Sequence, residues 1–137
     1  DKAYADTALA TLQTLLAVYP NSDVRDEAEQ EVREVMEQLA KKDYDNGMYY
    51  IRIGALEPAI VFLEDVVERY PETDMARLAR LRMLEVYQRR GWAPEIREMC
   101  DVLRSTYPTD VEAREACGAV PAPEPTPSPT PPPPRNF

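Results

Sequence analysis

Few side chains in this sequence could do chemistry, and their types favour recognition over reaction. Between Met75 and Arg104 stand seven arginines (Arg77, Arg80, Arg82, Arg89, Arg90, Arg97 and Arg104) against four acids. The only tryptophan, Trp92, follows Arg89-Arg90. Arg and Trp are the side chains that most often anchor protein interfaces. A basic strip carrying Arg77, Arg80, Arg82, Arg89, Arg90 and Trp92, complementary to an acidic partner, is therefore one expectation. Solvated faces paired with local glutamates are the other, and the commoner fate of surface charge. There is no histidine, and the only serines are Ser22, Ser105 and Ser128. The commonest general base and metal ligand is thus missing, and no Ser-His-Asp or Cys-His arrangement can be built within the chain. Gly47, Gly54, Gly91 and Gly118 are isolated, so no phosphate-cradling loop is present. Neither a self-contained enzyme nor a bound cofactor or metal is expected.

The elements that must position these side chains follow from composition and punctuation. The chain has 137 residues and 14 prolines, nine of which lie within residues 121–134. This divides it into a helical body, residues 1–120, and a Pro-rich tail, residues 121–137. The net charge of −9 argues against nucleic acid as a partner. A mean hydropathy of −0.52 and the lack of a long apolar run argue against a membrane-spanning helix. The first residue is Asp1, so a processed N-terminus or an origin within a longer chain is expected.

Tyr-Pro occurs at Tyr19-Pro20, Tyr70-Pro71 and Tyr107-Pro108. A shift of 37 residues carries Tyr50 to Tyr87, Gly54 to Gly91 and Tyr70-Pro71 to Tyr107-Pro108. Fixed-period similarity of this kind marks repeat architectures. Gly54 and Gly91 suit a left-handed residue after a helix. Pro58 and Pro94 suit the first turn of the next helix, and apolar residues at 59, 60, 63, 66, 67 and 70 keep helical spacing. After each Tyr-Pro comes a hydroxyl that could cap a helix, at Ser22, Thr73 or Thr109, the last forming a capping box with Glu112.

These hairpins resemble tetratricopeptide repeats, with Gly47 at the small position, Tyr50 at the aromatic one, then Ala59 and Leu63. The fold class expected is all-α, with repeat hairpins stacked as a right-handed α-solenoid. One long helix from about residue 22 to 53 is predicted, because the stripe from Val24 to Ile51 never loses phase and no Pro interrupts it. Asp43 to Gly47 is its weak point. In stacked repeats the first helices line a groove, which would put Tyr44, Met48, Ile51 and Arg52 on one face. Tyr49, Tyr50 and Ile53 would then turn toward the neighbouring helix. Residues 44–53 are apolar nearly all round, so they are either buried on both sides or covered by a partner.

Cys100 precedes Pro108 on its helix, and Cys117 lies on a short helix after it. Antiparallel packing leaves two outcomes open, a disulfide that ties down the last helix or two buried thiols. The tail should adopt polyproline II where ordered, reaching about 45 Å over its Pro-rich stretch as a spacer or as a strap along a partner's groove.

Several segments in order resemble the BamD family, tetratricopeptide-repeat lipoproteins of the bacterial β-barrel assembly machinery. They are Tyr19-Pro20-Asn21-Ser22, Asp26-Glu27-Ala28, Leu39-Ala40, Tyr49-Tyr50-Ile51-Arg52, Gly54-Ala55 and Val66-Val67-Glu68-Arg69-Tyr70-Pro71. They cover roughly residues 1–110 and correspond to the C-terminal half of that family. The resemblance implies a non-catalytic scaffold of outer-membrane protein assembly. It would be periplasmic, at the inner face of the outer membrane, and docked on the POTRA domains of the barrel-forming subunit. Membrane association would run through partners or an upstream lipid anchor. The sequence departs from the family where Arg52-Ile53-Gly54 replaces Arg-Arg-Gly, and where Phe62 replaces an arginine used in docking. The alternative is a periplasmic accessory subunit of another large membrane complex, with the tail strapping onto partner subunits.

Overall fold

Three Tyr-Pro pairs and two glycines divide the body into helices. The structure, a computed structural model, describes residues 2–20, 24–127 and 129–130. Among these the chain is all-helical, with α1 (Lys2–Val18), α2 (Arg25–Arg52), α3 (Leu56–Arg69), α4 (Asp74–Arg90), α5 (Ala93–Thr106) and α6 (Val111–Ala116). Helices α1, α3 and α5 each stop just before a Tyr-Pro pair, because proline pushes the residue before it out of the α region. Tyr70 and Tyr107 accordingly sit at nearly the same non-helical angles, with φ of −131° and −126°.

The two glycine turns are built alike. Gly54 and Gly91 have φ of +78° and +67°, in the left-handed region that costs glycine nothing. In the first turn the Gly54 amide donates to the Ile51 carbonyl (3.0 Å) and the Ala55 amide to that of Tyr50 (2.9 Å). In the second, Gly91 donates to Gln88 (3.2 Å) and Trp92 to Tyr87 (3.0 Å). This pair of reverse bonds satisfies carbonyls that the helix end would leave open. It sends α3 back along α2, and α5 back along α4.

Helix α2 runs unbroken over 28 residues, close to the span that its unbroken stripe predicts. The expected cap at Ser22 lies outside the described residues, and Val24 takes the N-cap position without a side-chain cap bond. Thr73 caps α4 as its position predicts. Its hydroxyl accepts from the Ala76 amide (3.2 Å) and donates to the Tyr70 carbonyl (2.7 Å). Glu37 of α2 accepts from the Asp74 amide (2.8 Å), so a second helix helps to cap α4. The capping box expected at Thr109 and Glu112 does not form. Asp110 is the N-cap of α6 and accepts from the Ala113 amide (2.9 Å), while Glu112 turns to Arg82 (2.7 Å). A carboxylate one residue closer to the helix displaces the weaker hydroxyl cap.

The weak stretch of α2 is where it packs most tightly. Gly47 is buried, and a Cβ there would lie 2.8 Å from Leu63 Cδ2 and 2.9 Å from its Cγ. Leu63 itself is completely buried. Glycine's cost in helix propensity, about 1 kcal/mol, is set against a contact that no larger residue permits.

Helix α4 is buried on two sides. Ala76, Ala79, Met83, Val86 and Tyr87 join Leu39, Ala40, Ala59, Leu63 and Val66 in one core. Leu81 and Leu84 join Cys100, Leu103, Ala113 and Cys117 in a second. The open question about the cysteines resolves as a disulfide between Cys100 and Cys117, with Cα atoms 5.7 Å apart, tying α5 to the end of α6. Residues 121–127 form neither helix nor strand and are exposed.

Two measurements test this account. Gly47→Val is expected to cost about 2 kcal/mol, the usual range for overpacking a filled core, read as a lower urea midpoint with an unchanged slope. An unchanged midpoint would show that the α2–α3 seat has slack. Reduction of the disulfide, whose cysteines are 17 residues apart, is expected to cost about 3 kcal/mol by loop-closure entropy. Hydrogen exchange should then rise first in α6 and leave α2 and α3 unchanged.

Candidate functional site

The residues singled out in the sequence separate into two groups. On α2 the observed phase differs from the one expected. The stripe Ala40, Asp43, Gly47 and Ile51 is buried against α3 and α4, so Ile51 belongs to the core and does not line a groove. Tyr44 and Met48 are half-buried beside that core. Tyr49 and Ile53, expected to face the neighbouring helix, are 51% and 57% exposed. Gly47 sets this register, because only its side of the helix can come close enough to seat Leu63. The opposite side, with Tyr49, Arg52 and Ile53, is left outward. Tyr50 is half-buried and stacks on Phe62 of α3, with centroids 5.4 Å apart, while Tyr49 meets Tyr50 edge-on at 5.5 Å. Val61 of α3 is 59% exposed. The first hairpin thus carries exposed apolar side chains, an aromatic stack and, at the end of α2, the outward Arg52.

The arginines of α4 are mostly engaged within the chain. Arg77 bridges Asp74 (3.0 Å) and Asp110 (3.2 Å), and the Asp74 hydrogen bond outweighs burial in raising its pKa above the ordinary arginine value. Arg80 donates to the Tyr107 hydroxyl (2.7 Å) and lies over its ring at 5.6 Å. Arg82 pairs with Glu85 and with Glu112 (2.7 Å). Burial pulls its pKa down, but Glu85, Glu112 and Tyr44 together hold it above the ordinary value. Arg90 reaches across to Glu57 (2.6 Å). Arg104 donates to the carbonyls of Cys117 (2.7 Å), Val120 and Pro121 (3.2 Å), which fixes the point where the tail leaves the body. Arg89 is exposed at the C-terminal end of α4. Trp92 is 37% exposed and leans on Tyr87, with centroids 6.0 Å apart. These side chains therefore hold α4 to its neighbours as well as facing outward.

Reading the sequence missed a third feature, a groove of about 350 Å³ between α3 and α5 with α4 as its floor. It brings Glu64 of α3 to Glu95 and Glu98 of α5, about 30 residues further on, so the three do not stand out as a motif. A signal was available all the same. The 37-residue shift that carries Tyr50 to Tyr87 also carries Phe62 to Met99 and Val61 to Glu98. Where the first hairpin closes over its tyrosine with a ring, the second offers a flexible side chain, and a carboxylate stands at the position of the exposed Val61.

Among the described residues no group of three or more Cys, Asp or Glu could hold a metal ion. No helix among them is long and apolar enough to cross a membrane. Helical hairpins with exposed apolar and charged surfaces define the class, an all-α protein whose described surfaces are suited to contact with other proteins. The model of a family described as outer membrane lipoprotein, YfiO, matches residues 1–102. The outer membrane protein assembly factor BamD of Caulobacter vibrioides is 31% identical over 110 residues, 80% of this chain and 36% of that protein. The protein of the same name from Vibrio cholerae is 32% identical over 84 residues, 61% of this chain and 35% of that protein. The chain spans about a third of the length of the curated relatives it matches. It belongs to this outer membrane lipoprotein family and is BamD-like.

Arg82→Glu tests the internal role of the arginines. Facing Glu85 and Glu112 from a mostly buried position, the reversed charge is expected to cost about 2 kcal/mol, seen as a melting temperature lower by roughly 8 °C. Arg89→Gln, with no internal partner to lose among the described residues, gives up only the favourable charge in the last turn of α4 and should lower the melting temperature by no more than about 3 °C.

Proposed function

We propose that this chain is a non-catalytic protein-binding scaffold of outer-membrane protein assembly. In this reading α2–α3 and α4–α5 are tetratricopeptide-like repeats stacked as a right-handed solenoid. The protein works at the periplasmic face of the outer membrane and docks on the POTRA domains of the barrel-forming subunit. Membrane association runs through that partner or through a lipid anchor upstream. Family membership supports the setting. The observation that carries the docking face is the exposure of Tyr49 and Ile53 around Arg52 at the end of α2, with Val61 exposed on α3 of the same hairpin. Large apolar side chains left open around an arginine are what interface anchors look like before the partner arrives. Arg89 and Trp92, at the corresponding end of the second hairpin, extend the face.

A second reading keeps the body as a cap on another membrane complex, with the tail strapping onto partner subunits. The grip of Arg104 on the Val120 and Pro121 carbonyls supports it, because a tail with a fixed exit loses less entropy on binding.

The test is direct binding of the full chain to purified POTRA domains. Ile53→Asp and Val61→Asp are expected to weaken binding by about tenfold or more with unchanged circular dichroism and melting temperature. Unchanged affinity in both variants, or no binding by the unaltered chain, overturns the docking face.

A further inference from the structure

The groove between α3 and α5 is not used by any contact described so far. We propose that it receives a protein segment presenting one lysine or arginine flanked by apolar side chains. Its rim carries Glu64 from α3, and Glu95 and Glu98 from α5. Among the described residues none of the three carboxylates is within ion-pair distance of a basic side chain. The one cation in the lining, Arg80, is committed to the Tyr107 hydroxyl and ring. The groove therefore keeps a formal charge of about −2 with no ion-pair partner for its glutamates among the described residues.

The walls decide what kind of cation fits. Val67, Met99 and Val102 make them largely apolar. The three glutamates do not meet the requirements for a metal ion, which needs its ligands gathered at about 2–2.5 Å. Spread carboxylates over apolar walls suit a long side chain whose methylene stem lies on the wall and whose charged head reaches the rim. Met99 suits the stem, since an unbranched thioether adapts to irregular shapes.

Tyr87 is an independent observation at the same place. It lines the floor of the groove and is only 8% exposed. Among the described residues its hydroxyl has no hydrogen-bond partner, although its ring leans on Trp92. Burial first, and then the fields of Glu64, Glu95 and Glu98, push its pKa up, in keeping with their shared place in the groove lining. A tyrosine whose ring is nearly buried, and whose hydroxyl keeps access to solvent in a groove lined by three unpaired carboxylates, is a polar socket that an ammonium or guanidinium head would complete.

The contrast within the repeat is also specific. The first hairpin seals the equivalent place by stacking Phe62 on Tyr50 at 5.4 Å. The second has Met99 in place of the ring and Glu98 in place of Val61. The groove is thus a local departure from the chain's own pattern.

The test uses methyl-labelled full-length protein and a heptapeptide with one lysine between two leucines. The matching peptide with norleucine for lysine, and spermidine, serve as controls. Binding of the lysine peptide is expected to shift the Met99, Val67 and Val102 methyl signals saturably. The norleucine peptide should bind at least about tenfold more weakly. Glu95→Gln with Glu98→Gln should weaken the lysine peptide by about tenfold or more, without changing the melting temperature or POTRA binding. The proposal is overturned if the lysine peptide leaves those methyls unmoved at about millimolar concentration. Equal binding of the norleucine peptide overturns it as an apolar patch alone, and equal binding of spermidine as an acidic patch without a seat for the stem. Because POTRA binding is measured on the same variants, failure of the groove and failure of the docking face are distinguishable.

Discussion

The close approach of α2 to α3 at Gly47 and Leu63 is the constraint on which the rest of the structure depends. A missing side chain lets Leu63 sit where a Cβ would collide with it. That contact fixes the rotation of α2 about its own axis, so Ala40 and Ile51 turn inward and Tyr49 and Ile53 outward. It also sets the height at which α4 lies across the pair, bringing Glu37 under the first turn of α4. The second hairpin solves the same problem with the volumes exchanged. Leu84 stands where Gly47 stood and Cys100 where Leu63 stood, and both are completely buried. Large against small is kept while the sides are swapped, which is how close-packed cores tolerate change. The small residue there, Cys100, is then free to bond to Cys117.

Helix α4 carries the consequence. Buried on two sides, it has little surface left, and its arginines emerge at the seams between helices. Arg77 and Arg82 reach α6, Arg80 reaches the end of α5, and Arg90 reaches α3. At such seams a guanidinium retains water on one side and finds a carboxylate or carbonyl on the other. This limits the desolvation cost that makes fully buried pairs unprofitable. It also links the short α6 to the body by more than its small apolar face, supplementing the disulfide.

Much of the fold was legible in the sequence because its punctuation is local chemistry. Tyr-Pro ends a helix through proline sterics, and glycine turns a chain through φ > 0, wherever the rest of the molecule lies. The length of α2, the positions of Gly54 and Gly91, and the Thr73 cap were all readable on that basis. The phase of α2 was not, because residues 44–53 are apolar on every side and a stripe cannot be found where everything is striped. Only the three-dimensional fit of Gly47 selects the face. Thr109 lost its cap to Asp110 for a related reason, since two adjacent candidates differ in how the chain enters the helix. The arginines were legible as a cluster, and Arg77–Asp74 and Arg82–Glu85 as local pairs, but the contacts that join α4 to other elements were not, because those partners lie 27 to 33 residues away along the chain. The Tyr-Pro tyrosines illustrate the limit. Tyr70 is buried, Tyr107 is half-buried under Arg80, and Tyr19 is exposed. One motif ends its helix in the same way in three different surroundings.

The division between local and distant causes explains how one hairpin plan can carry two surfaces. The turn bonds, the Tyr-Pro ends and the large-small core pair consume the residues they need and place no demand on the outward positions. Ile53 and Arg90 are equivalent in the repeat, as are Val61 and Glu98, and each pair differs in polarity at no cost to the frame. The first hairpin is left with apolar side chains that water solvates poorly, the second with carboxylates that have no counterion among the described residues. A surface of either kind gains free energy when a complementary one covers it, the first through area and the second through charge. The two differ in what they would accept. On the proposed reading, the two hairpins hold different partners, or different parts of one partner, without competing for the same contacts.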